Sequence, residues 1–167
     1  MNTFLKLTLL VTVLGLSACG DNRYFGDARM GGAGGAGGAG EALDPNSVAY
    51  FYETVGDRVL FEVDQSTLTA EARGILDLQA DWMLRNMEYR AVIEGHADEQ
   101  GTRDYNLALG ARRAAAVEAY LVSRGITSDR LRTISYGKER PLAICSEESC
   151  YSQNRRAVTV LEAGSGV

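Results

Sequence analysis

Apolar and polar positions divide the chain into three stretches of different physical character. In the first, Lys6 precedes a largely apolar run from Leu7 to Leu16, and small residues follow as far as Ala18. A charged start, a short apolar centre and a small-residue end are the layout of a cleavable signal segment, residues 1–18. The centre is too short for a permanent bilayer span, which takes about 20 residues. In the second stretch, Gly31 to Gly40 reads Gly-Gly-Ala three times and then Gly. Such a segment has no side chains to bury and much backbone entropy to lose, so residues 19–46 are expected to form a flexible tether. Its root-mean-square span is about 25 to 30 Å.

The third stretch, residues 47–163, carries the periodicities of a folded head. Ser47 is positioned to cap a short helix through Val48, Ala49, Tyr50 and Tyr52, and Arg58 to Val63 reads as a buried strand. Thr69 caps a second helix whose Ala72, Ile75, Leu76, Trp82, Met83 and Met87 lie on one stripe. Arg90 to Glu94 is the next strand, Gly95 to Gly101 a polar loop, and Thr102 the cap of a helix running to about Arg124 and stopping at Gly125. Leu131 to Tyr136 and Ala157 to Leu161 complete the set, separated by a loop containing Cys145 and Cys150. The order strand, helix, strand, helix, strand, strand predicts an α/β (or α+β) domain: one mixed sheet covered on one face by two long helices.

Composition narrows the function. With 167 residues, of which the first 46 are leader and tether, there is room for one domain. The net charge of −5 and the interspersed signs give no basic stripe for phosphates, which sets nucleic acid aside. A secreted chain meets an oxidising compartment, where Cys145 and Cys150 are expected to form a disulfide closing a short loop. A zinc site is a weak alternative, because the chain has one His and no second Cys pair.

The stretch Glu94-Gly95-His96-Ala97-Asp98-Glu99-Gln100-Gly101-Thr102 concentrates acids, glycines and the lone His at a strand-to-helix junction. Catalysis by His96 with Asp98 lacks support: there is no second His, no Gly-x-Ser-x-Gly elbow and, Cys19 lying ahead of the head, no free Cys within it once the pair is bridged. On the following helix, Asn106, Leu109, Arg113, Val117 and Leu121 share a face, so Arg113 falls in or beside an apolar stripe. A charge there needs a partner, and Asp98, Asp64 and Glu62 are the acids available, unless the Arg stem snorkels to solvent.

Two resemblances follow from these residues. Leu16-Ser17-Ala18-Cys19 resembles the lipobox of bacterial lipoproteins, which implies acylation of Cys19 and cleavage before it; Gly20 rather than Asp after the Cys resembles the default of export to the outer membrane. Several acyl chains anchor stably where one would not. Glu94-Gly95-His96-Ala97-Asp98-Glu99-x-Gly101-Thr102-x-x-Tyr105-Asn106-x-x-Leu109-Gly110-x-Arg112-Arg113-Ala114 resembles the OmpA-like peptidoglycan-binding domain, in the version found in peptidoglycan-associated lipoproteins. Ser135-Tyr136-Gly137-Lys138-Glu139-x-Pro141 and Asn154-Arg155-Arg156-Ala157 extend the match, which covers Arg58 to Leu161.

The second resemblance implies a non-catalytic domain, without cofactor or metal, that recognises meso-diaminopimelate in the cell-wall peptide. The free end of that residue is a zwitterion, which needs an anion for its ammonium and a donor fork for its carboxylate. By the motif these are Asp98 and Arg113, with Asp64 near the same pocket, Asn106 orienting the loop or touching the peptide, and backbone N–H groups near Thr102 assisting. His96 and Tyr105 are expected to pack and brace the loop. Gln100 departs from the family, which often has Arg at that position. Because Arg113 lies eleven residues beyond Thr102, roughly 16 Å along a helix, Asp98 can approach it only if the loop folds back along the helix. The resemblance further implies an outer membrane tethered to peptidoglycan within the Tol-Pal system, with the periplasmic β-propeller TolB as partner during division.

Overall fold

The computed structural model describes residues 43–163. The expected signal segment, Cys19 and the tether as far as residue 42 lie outside them. The described chain runs α1 (Val48–Tyr50), a π-helical turn (Phe51–Val55), β1 (Arg58–Leu60), α2 (Ala70–Arg85), β2 (Tyr89–His96), α3 (Arg103–Ser123), a 3-10 turn (Ser128–Arg130), β3 (Leu131–Gly137), α4 (Glu148–Asn154) and β4 (Arg156–Ala163). Three predicted caps form: the side chains of Ser47, Thr69 and Thr102 accept from the backbone N–H groups of Tyr50, Ala72 and Tyr105.

The strands form one mixed sheet in the order β1-β4-β2-β3. β2 and β3 are parallel, while β4 runs antiparallel to both β1 and β2. The parallel pair requires a crossover, and α3 provides it; α2 links β1 to β2. Register puts Ala91 beside Leu131 and Leu161, and Gly95 beside Ala157, on one face of the sheet. That face packs on Leu76, Ala80 and Met83 of α2 and on Ala114, Val117 and Leu121 of α3, in a single core. The predicted architecture of two long helices over one sheet face is the one observed.

Trp82 is wholly buried, packs on Phe51 and Tyr89 at ring-centroid distances of 5.0 and 5.2 Å, and donates from Nε1 to Pro45 O at 2.9 Å. The incoming chain is thereby pinned to the core. At the other end of the sheet a Cβ on Gly95 would overlap the Gly110 carbonyl oxygen, so β2 and α3 meet backbone to backbone. This approach holds the first half of α3 against the strand ends that carry the site.

β2, β3 and β4 each run one or two residues further than the sequence expectation, β2 taking in Gly95 and His96 from the expected loop, and three other differences are larger. β1 ends at Leu60 rather than Val63, because residues 61–65 leave the sheet and turn; Val63 is exposed and Gln65 N–H donates to Glu62 O. Met87 is not on the apolar stripe: α2 ends at Arg85, and Met87 is 74% exposed. There Asn86 Nδ2 donates to Trp82 O, and Arg130 donates to the carbonyls of Met83, Asn86 and Tyr89. Finally, α4 forms within what reads as a cysteine-bridged loop. Cys145 and Cys150 are joined, with Cα atoms 5.7 Å apart.

Candidate functional site

Arg113 is the structural centre of the region. It sits on the buried face of α3 with Asn106, Leu109, Val117 and Leu121 and has 0% exposure. The sequence offered carboxylates as its partners. The structure supplies carbonyls instead: Nε donates to Gln65 O at 2.8 Å, Nη1 to His96 O at 2.8 Å and Nη2 to Glu62 O at 3.1 Å. The turn that ends β1 therefore wraps the guanidinium, whose Cζ lies 5.2 Å from the Phe61 ring centroid. Burial lowers the pKa of Arg113 to about 10, with Asp98 opposing the shift and Arg155 adding to it, so the group stays charged at neutral pH.

Asp98, on the loop between β2 and α3, is 8% exposed. Its Oδ1 accepts from Gln100 N–H at 3.2 Å, a local turn, and its Oδ2 lies 3.2 Å from Arg155 Nη1. The loop does fold back along α3: Asn106 Nδ2 donates to Gln100 O at 2.8 Å, and Lys138 Nζ donates to Gly101 O at 2.7 Å. Asp64 approaches from the turn after β1 with φ of +57°, a left-handed conformation that Asp tolerates better than most side chains. Tyr105 donates its hydroxyl to Asp64, which raises the Tyr105 pKa above the ordinary phenol range.

These groups line a cavity of about 220 Å³ whose walls include Asp64, Asp98, Gln100, Tyr105, Asn106 and Leu109. Of the predicted site residues, the cavity brings together Asp64, Asp98 and Asn106. Arg113, one turn beyond Leu109, is not among its lining residues, though it lies close enough for the charges of Asp98, Asp64 and Arg155 to act on it. Thr102 caps α3 and does not line the cavity. Tyr105, expected to pack, is 43% exposed and forms part of the wall.

Two participants were given no role from sequence. Arg155, 4% exposed, is paired with Asp98 and Glu148 and donates from Nε to Phe61 O at 3.2 Å. Burial opposes its charge, but its bonds to Glu148 and Asp98 outweigh that and raise its pKa. The available signal was the one that exposed Arg113, a charge beside an apolar stretch, here Ala157 to Leu161. Lys138 fastens the loop through the carbonyls of Glu99 and Gly101. His96 is 1% exposed, stacks on Tyr136 and has no hydrogen-bond partner at either ring nitrogen. Burial, with Arg156 and Arg140 nearby, lowers its pKa to about 4. Chemically, the region offers two carboxylates in one cavity with two guanidinium groups set behind them. Among the described residues no three His, Cys, Asp or Glu side chains converge as a metal site.

Residues 60–155 match the OmpA family. A peptidoglycan-associated lipoprotein of Rhizobium meliloti (strain 1021) is 52% identical over 152 residues, spanning 91% of this chain and 84% of its own. One from Haemophilus influenzae is 38% identical over 159 residues, spanning 95% of this chain and 98% of its own. The crystal structure of the peptidoglycan-associated lipoprotein from Burkholderia pseudomallei superposes with a TM-score of 0.66 at 31% identity, covering 71% of this chain and 100% of that one. The C-terminal domain of Helicobacter pylori MotB, at 19% identity, shares the fold with a TM-score of 0.61 over 65% of this chain and 86% of its own.

Proposed function

Because this chain belongs to the OmpA family, in the group of the peptidoglycan-associated lipoproteins, we propose that it is an outer-membrane lipoprotein whose head grips peptidoglycan without cleaving it. Residues 1–18 direct export, Cys19 carries the acyl anchor, residues 19–46 span the gap to the wall, and residues 47–163 bind it. The head lies in the periplasm, and its assignment to the Tol-Pal system makes TolB a partner in envelope integrity and division.

One observation supports the ligand assignment most strongly: Asp64 and Asp98 line one cavity beside the buried, charged Arg113. A ligand bearing ammonium and carboxylate on one carbon, such as the free end of diaminopimelate, matches that arrangement. Asp98 takes the ammonium, with Asp64 alongside, and Arg113 takes the carboxylate. A guanidinium has five N–H donors; three are committed to Gln65, His96 and Glu62, and because the side chain is wholly buried off the cavity wall, its charge draws the carboxylate and the other two N–H groups reach it only when the wall opens. Asn106 keeps the loop in register, and N–H groups at the start of α3 near Thr102 add to the anion's attraction.

Sedimentation with purified peptidoglycan tests this. The wild-type chain co-sediments, whereas Asp98→Asn and Arg113→Ala, checked for folding by circular dichroism, stay in the supernatant. Full retention of both folded variants overturns the assignment. Release of soluble muropeptides by the wild type would overturn the non-catalytic reading.

A further inference from the structure

The connection from β3 to β4 contains a segment with little packing to hold it. From Pro141 to Gln153 no side chain is buried, and Leu142 and Ile144 are 51% and 87% exposed. Apolar burial therefore cannot fix its position. The segment is instead closed on itself twice. At its base Asn154 accepts from the N–H groups of Leu142 and Ala143 and donates to Ala143 O; at its tip Cys145 is bonded to Cys150.

This bracket reaches the 97–101 loop at two points. Ser146 Oγ and Tyr151 OH both donate to Glu99 Oε1, at 3.2 and 3.1 Å. Glu148, inside the bridged interval, holds Arg155, whose Nη1 lies 3.2 Å from Asp98 Oδ2. The side-chain links from Ser146, Glu148 and Tyr151 to the rest of the head thus end on Glu99, beside Asp98, or on the cation paired with Asp98.

We infer that the Cys145–Cys150 bridge and the helix it closes are a positioning device for the wall-binding cavity: Glu148 acts through Arg155, and Ser146 and Tyr151 act through Glu99, to hold Asp98 toward the ligand. The inference rests on the wall-binding reading above. The bridge removes conformations of the segment in which Glu148 and Tyr151 are withdrawn. Neither residue lines the cavity.

The full chain is compared with the Cys145→Ser, Cys150→Ser double variant and with Glu148→Ala, Glu148→Gln and Tyr151→Phe in peptidoglycan sedimentation, with amide NMR spectra recorded for each. The double variant and Glu148→Ala bind about five- to tenfold more weakly, the equivalent of one or two hydrogen bonds. Glu148→Gln, which keeps an acceptor for Arg155, recovers most of the affinity. Resonances of Ala97 to Gly101 shift while those of α2 stay in place. A merely structural role would instead lower the melting temperature, disturb resonances throughout and leave the affinity of the folded fraction unchanged. Binding of the double variant equal to that of wild type, or unmoved loop resonances, overturns the inference. Failure of the wild type to sediment overturns the wall-binding reading, and the NMR arm still decides whether the bridge positions the loop.

Discussion

Replacing His96 with Phe should flatten the acid sensitivity of the fold. The native imidazole has a pKa of about 4 against an ordinary 6.5, because burial disfavours its cation and Arg156 and Arg140 repel it. Between those two values the unfolded chain binds a proton that the native state refuses. The stability held by neutral His96 is therefore fully present above the unfolded value and is lost as pH falls through the window toward the folded one. Complete loss amounts to about 3 kcal/mol, and at about pH 5 the linkage relation gives about 2 kcal/mol. Urea unfolding of wild type and His96→Phe at about pH 7.5 and about pH 5 isolates this contribution. Any packing offset from the larger ring is the same at both values and drops out, as do carboxylates common to both proteins. Wild type should lose about 2 kcal/mol more than the variant on acidification. An equal loss would refute the reasoning, and would mean that the imidazolium is accommodated, with Glu94 Oε2 at 3.6 Å from His96 Nε2 as the available counter-ion.

Three further outcomes test how the site is built. Gly95→Ala drives a methyl group into the Gly110 carbonyl, and since neither is a flexible side chain the helix must lift; urea denaturation should show a loss of about 1 to 3 kcal/mol or more. Thr102→Ala removes the α3 cap and should cost about 1 kcal/mol in thermal unfolding. Its effect on peptidoglycan sedimentation should be small beside that of Asp98→Asn. Arg155→Met leaves Asp98, 8% exposed, without its ion-pair partner, and should destabilise by about 3 to 5 kcal/mol at neutral pH, with part of the loss recovered by the Asp98→Asn second substitution.

How much of this was legible in the sequence depended on whether the cause was local. The caps of α2 and α3 and the length of α3 follow from neighbours along the chain and formed as read, while α2 stopped short of Met87. β1 was overextended because Phe61, Glu62 and Val63 carry a strand's pattern, yet Glu62 and Gln65 turn their carbonyls onto an arginine about fifty positions away. The presence of Arg113 in an apolar stripe signalled a buried charge, but only side-chain acids could be nominated as partners. Every residue has a backbone carbonyl, so a guanidinium held by three of them leaves no trace in composition. α4 was missed for a related reason: it has no apolar stripe, and its order comes from the disulfide and polar bonds.

The difference between acid and carbonyl partners has a functional consequence. Carbonyl dipoles take one N–H on each nitrogen of Arg113 without cancelling its charge, whereas a carboxylate would have done both. Asp98, by contrast, is directly paired with Arg155. The buried guanidinium thus keeps its positive charge with no acid bonded to it, beside a cavity whose wall carries Asp98 and Asp64, so charge is separated in the region before any ligand arrives. On the proposed wall-binding reading, a zwitterion of matching polarity would meet a field already oriented toward it, and its carboxylate would have no acid to displace from Arg113.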